Sequence, residues 1–114
     1  MNSDVERGNT RLYHRYQLAT PVILTTLGPG QPEIVLGRTL EMSEAGVGGL
    51  FTSRLAEGAI VRLELTLPLA SQPISIEAIL RNRVGYRYGF EFAALSIEHR
   101  ETVTKACRSL SVCE

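Results

Sequence analysis

Tryptophan is absent, lysine and aspartate occur once each, and no apolar run approaches the roughly 18 residues that a membrane span requires. The polar opening Met1–Arg15 also lacks the apolar stretch of a secretory signal. A cytoplasmic protein without membrane insertion is therefore expected. Net charge is missing too, with twelve basic residues against twelve acidic ones. That balance leaves no broad electrostatic footprint for DNA or RNA. Cysteine is scarce: Cys107 and Cys113 stand six apart with no companion ligand, which fits no zinc pattern and predicts two free thiols. The lone aspartate, Asp4, sits near the N-terminus, so no Ser-His-Asp set can be assembled and no enzyme is expected.

What is present is arginine. Eleven of the twelve basic residues are Arg, with Lys105 the exception. A guanidinium binds phosphates and guanine edges through a planar fork that an ammonium cannot copy, so one concentrated Arg site is compatible with zero net charge. The 114 residues are enough for one domain that buries about two-thirds of its unfolded surface. Residues 1–14 carry no apolar periodicity and read as a flexible arm, with the folded domain over 15–114.

Strand signals follow from Pro21 to Leu27 and, after the Gly28–Pro32 breaker, from Glu33 to Met42. Ser43–Gly49 reads as a glycine-rich turn before a short strand at Leu50–Thr52. Alternation returns at Ala59–Leu67, Ile74–Leu80 and Tyr86–Phe92. The period then changes. Ser96 is an N-cap candidate, Val103, Ala106, Cys107 and Leu110 share one helical face, and acids precede bases along the segment. Six short strands and one helix predict an all-β fold, a six-stranded antiparallel β-barrel flanked by a C-terminal α-helix.

Two constellations could carry chemistry. Arg11-Leu-Tyr-His-Arg15 is an Arg-x-x-x-Arg just ahead of the strand at 21–27. Glu41-Met-Ser-Glu-Ala-Gly46, followed by Val47, closes the strand at 33–42. In these segments, and in Tyr86-Arg-Tyr-Gly-Phe-Glu-Phe92, the chain resembles the PilZ domain family of receptors for the bacterial messenger cyclic di-GMP. The resemblance runs from about Arg11 to Leu110 and implies the same barrel and helix. It implies that Arg11 and Arg15 grip phosphate and guanine, while Glu41 and Ser43 accept from the second edge of a base. It also implies that Gly46 lets the turn approach the ligand, that the arm orders on binding, and that the ordered arm signals to a downstream protein partner. No cofactor is implied beyond the ligand itself. Some members of the family are protein-interaction adaptors that do not bind the messenger, which is the alternative reading.

The family motif has Asp or Asn where this chain has Glu41. The extra methylene carries the carboxylate roughly 1.5 Å further from the backbone. An overshoot of the guanine edge is the expectation from sequence. Arg81, Arg83 and Arg87 flank a turn and could extend a basic patch towards the ligand, with a solvated hairpin as the preferred reading.

Overall fold

The computed structural model describes residues 13–113. Its strands are β1 (Tyr16–Gln17), β2 (Pro21–Leu27), β3 (Ile34–Met42), β4 (Gly46–Phe51), β5 (Ile60–Leu65), β6 (Ile74–Val84) and β7 (Arg87–Ala94), followed by α1 (Ile97–Arg108). Every pairing is antiparallel, in the order β3-β2-β5-β6-β7-β4, and β4 pairs back onto β3 to close a six-stranded barrel. The seventh strand, β1, is an addition on β3 and falls along the same edge as β2.

Thr39 shows why β1 and β2 are separate. Tyr16 pairs with Met42 but Pro21 pairs with Arg38, so the two ladders differ in register by one residue. The slip leaves backbone groups of residues 18–20 without a regular ladder. The buried Thr39 hydroxyl donates to the Leu18 carbonyl at 2.6 Å and accepts from the Thr20 N–H at 3.0 Å. One side chain thus replaces two ladder bonds, which is why a polar group is tolerated there.

The barrel fills from alternate positions. Val61, Leu63 and Leu65 of β5, Ile76, Ala78 and Leu80 of β6, and Tyr88, Phe90 and Phe92 of β7 all point inward. Phe51 packs edge-on against both Tyr88 and Phe90. The Tyr88 hydroxyl, buried with its ring, donates to the Ser53 carbonyl and so anchors the loop after β4.

The two largest departures from the expected boundaries are in β4 and β6. Gly46–Gly49 is strand, not turn, and the turn shrinks to Ser43–Ala45. Gly46 and Gly49 serve close strand approach: a Cβ on Gly49 would sit 2.6 Å from the Arg38 carbonyl oxygen. β6 runs on past Leu80 to Val84, through a bulge between Leu80 and Asn82. A two-residue turn, Gly85-Tyr86, then joins it to β7, with Gly85 at φ +61°.

The helix forms as its caps and charges predict. The Ser96 hydroxyl accepts from the His99 N–H, Glu98 lies in the first turn, and Lys105 and Arg108 lie in the last. Val103, Ala106 and Cys107 are the buried stripe. Beyond the helix the tail returns to β1. The Gln17 N–H donates to the Ser111 carbonyl at 2.8 Å, and the Cys113 N–H donates to the Arg15 carbonyl at 2.8 Å. Val112 bridges to Tyr16 between them.

The two thiols are placed differently. Cys107 is buried under the helix, and its pKa is pushed from 9.0 to about 11, first by desolvation and then by the Glu44 carboxylate. Cys113 is half-buried. We expect a maleimide at pH 7 to modify Cys113 and to reach Cys107 only after unfolding; mass spectrometry of native and urea-treated protein checks this. The folded pKa lies above the unfolded one, so the Cys107 contribution to stability is intact below pH 9 and is lost as pH rises towards 11.

Candidate functional site

Residues opposite one another on paired strands point to the same face. On that rule Glu41 of β3, Gly48 of β4, Gly89 of β7 and Asn82 of β6 form one transverse row on the outside of the barrel. The row spans three strand spacings, roughly 14 Å, and its two central members have no side chains. A groove results. An open cleft of about 540 Å³ lies along it, lined by Arg15, Glu41, Ser43 and Gly46 and, from the opposite side, by Arg81, Asn82, Arg87 and Glu91. Three guanidiniums face two carboxylates there, an excess of one positive charge.

Glu41 is the hub of the near wall. Its carboxylate is mostly buried, at 15% side-chain exposure, between two arginines. Arg15 Nη1 lies 3.2 Å from Oε2 and 3.3 Å from Oε1, and Arg87 Nη2 lies 3.2 Å from Oε2. Arg87 is on β7, with β4 between it and Glu41. The side chain gets across because Gly48 leaves the way clear: a Cβ there would lie 3.2 Å from Oε2 and 3.3 Å from Cγ of Glu41. The extra methylene that sequence reading took for an overshoot is the length that reaches the second arginine.

Ser43 and Gly46 build the turn below. The Ser43 hydroxyl oxygen accepts from the Ala45 and Gly46 N–H groups at 3.1 and 3.2 Å, and the Ser43 N–H donates to the Gly46 carbonyl at 2.9 Å. Both lone pairs of that oxygen are thereby engaged, and its proton is the group left to offer. This differs from the acceptor role implied by resemblance. A Cβ on Gly46 would run into the Phe90 carbonyl oxygen, so this glycine serves the pairing of β4 with β7. Glu44 points the other way, towards the helix, where Thr104 Oγ1 donates to it at 3.5 Å.

On the far wall Arg81 Nε donates to Glu91 Oε1 at 2.6 Å, and Asn82 lies over Gly89. Arg83 is held over the Tyr88 ring, 5.9 Å from its centroid. Of the sequence-predicted residues, Arg15, Glu41, Ser43 and Gly46 meet in the cleft. Arg11, and the arm through residue 12, lie outside the described residues. Asn82 is the residue that sequence reasoning missed, and Arg81 and Arg87, for which a solvated hairpin is the preferred reading from sequence, line the cleft. The one available signal was the spacing Arg87-x-Gly89-x-Glu91, an outward period of two opposite Gly46-x-Gly48. Among the described residues no cluster of three His, Cys, Asp or Glu could hold a metal.

Comparison with known proteins matches residues 9–109 to a family model described as PilZ domain. No curated protein matches the chain. Among solved structures, the PilZ domain of CeSA from a cellulose-synthesizing bacterium superposes with a TM-score of 0.67 at 17% identity, covering 84% of this chain and 96% of that one. The Bacillus subtilis inhibitor of motility MotI/DgrA gives 0.68 at 18% identity over 91% of this chain, which spans only 52% of that larger protein. The PilZ domain of Escherichia coli YcgR, solved with c-di-GMP, gives 0.66 at 18% identity over 90% and 92% of the two chains. At these identities the structural likeness shows the fold.

Proposed function

We propose that this chain, which belongs to the PilZ domain family, is a receptor for cyclic di-GMP that acts by binding and not by catalysis. The observation that carries the reading is the convergence of Arg15, Glu41, Ser43 and Gly46, from segments far apart in sequence, on one positively charged cleft of about 540 Å³. Cyclic di-GMP is a dianion with two flat purines. It needs anion neutralisation, donors and acceptors for guanine, and a floor on which a base can lie. Arginine supplies the first, because a guanidinium binds a phosphate through two parallel N–H donors. The planar guanidiniums of Arg15 and Arg87 can supply that surface, since Glu41 lies over Gly48 and Asn82 over Gly89. Glu41 can accept from the guanine N1 and N2 donors, and the Ser43 proton suits a phosphate oxygen or guanine O6.

Arg11 would close over the ligand from the arm. Ordering of the arm would then present a changed surface to a protein partner, which is how binding would be reported. Isothermal titration with cyclic di-GMP tests the reading. We expect saturable heat that weakens as salt is raised from 50 to about 500 mM, since the ligand is a dianion in a partly exposed cleft. A folded protein that gives no heat at any salt concentration supports the adaptor alternative instead.

A further inference from the structure

The structure assigns Arg87 as an additional ligand-binding residue of the cleft, with Glu41 and Gly48 as the residues that position it. This rests on the cyclic di-GMP reading above. Three observations carry it. First, Arg87 comes from β7, the strand beyond β4, yet its guanidinium lies 3.2 Å from the same carboxylate that holds Arg15. Two guanidiniums are thus brought to one oxygen atom, Glu41 Oε2, although β7 and the β1 that follows Arg15 do not pair.

Second, the contact engages one terminal nitrogen of Arg87, and a guanidinium has five N–H donors in a planar fork. Its side chain is 55% exposed along the cleft, so a phosphate can reach the donors that Glu41 does not take. The carboxylate fixes the fork's position, and the ligand's phosphodiester would share it.

Third, the parts are matched to one another. A carboxylate shortened by a methylene would draw back by roughly 1.5 Å and could not keep contacts with both Arg15 and Arg87. A methyl group at position 48 would press on Glu41 Cγ and Oε2. Glu at 41, Gly at 48 and Arg at 87 therefore act as one unit: the long side chain crosses β4 because no side chain stands on that strand at position 48. An isolated surface ion pair needs none of this arrangement.

Calorimetric titration of cyclic di-GMP into the wild type, R87A, R87K, E41D and G48A tests the assignment. R87A is expected to bind about tenfold or more weakly, with a shallower salt dependence because one cation has left the cleft. R87K should recover part of the loss, since it restores the charge but not the fork. E41D and G48A should each weaken binding while circular dichroism and melting curves stay near those of the wild type. R87A that matches the wild type in affinity and salt dependence overturns the assignment. A lysine variant as weak as the alanine variant, but with the salt dependence of the wild type, would keep it and place the contact in the fork itself. A wild type that gives no heat overturns the receptor reading and this inference together.

Discussion

Replacing Arg15 with Ala is expected to weaken cyclic di-GMP binding about a hundredfold and to leave the barrel folded. Both halves follow from where the residue sits. Its backbone is tied into the fold, because its carbonyl accepts from the Cys113 N–H. That bond survives truncation. The side chain is 40% exposed, and its one described ionic partner is Glu41. The pair is part-buried, but Glu41 keeps Arg87, so the loss of Arg15 is expected to cost about 1 kcal/mol, the upper end for surface pairs. The loss in binding is larger, since a charge-assisted, bidentate contact to phosphate is worth about 1.5–3 kcal/mol, and 3 kcal/mol is roughly a hundredfold in affinity. Glu41 would also lose one of its two positive neighbours and repel an incoming anion more strongly. Titration calorimetry beside a thermal melt separates the two effects. If R15A binds as tightly as the wild type, the phosphate site has been placed on the wrong residue.

The second large effect concerns folding. Gly46→Ala is expected to destabilise the protein by about 3 kcal/mol or more, at the upper end of what overpacking costs. The new methyl would meet the Phe90 carbonyl oxygen, a backbone atom held in the β4–β7 ladder. A side chain could turn aside, but a paired carbonyl cannot move without opening the ladder. The same shift would pull at the Ser43 turn, whose hydroxyl accepts from the Gly46 N–H. Gly28→Ala is the matched control, because a Cβ there meets nothing within 4 Å. Urea unfolding should separate the two variants clearly, with Gly28→Ala near the wild type. Equal midpoints for all three proteins would mean that β4 and β7 can separate at no cost, and that the glycine is kept for the ligand instead.

How far the fold could be read in advance depended on whether a segment buries one face. β5, β6 and β7 each alternate inward and outward residues, so period two revealed them. The helix was marked by Ser96 and by its graded charges. Gly46–Gly49 misled for a physical reason. Glycine disfavours strands on average, yet at Gly46 and Gly49 backbones approach too closely for a Cβ, and no local pattern announces that approach. β1 is two residues long and exists through its partners, β3 and the tail. The site divided along similar lines. Arg15, Glu41, Ser43 and Gly46 were legible because they lie in two short motifs. Arg87, Arg81 and Asn82 reach the cleft only through the register of β6, β7 and β4, which a bulge shifts by one residue between Leu80 and Asn82. The role of Glu41 was hidden with them, because its length has no meaning until the strand beyond it is known.

The tail that pairs with β1 makes the molecule a ready-made optical probe. Cys113 stands one backbone hydrogen bond from Arg15, and the second thiol is sealed beneath the helix. A fluorophore could therefore be attached to Cys113 without mutagenesis, at the spot where movement of the arginine's backbone is transmitted. Its emission would report that movement in real time, at dye-limited rather than calorimetric concentrations. The same adjacency sets a rule for handling the protein: a tag or partner fused just after residue 113 pulls on the segment that carries Arg15.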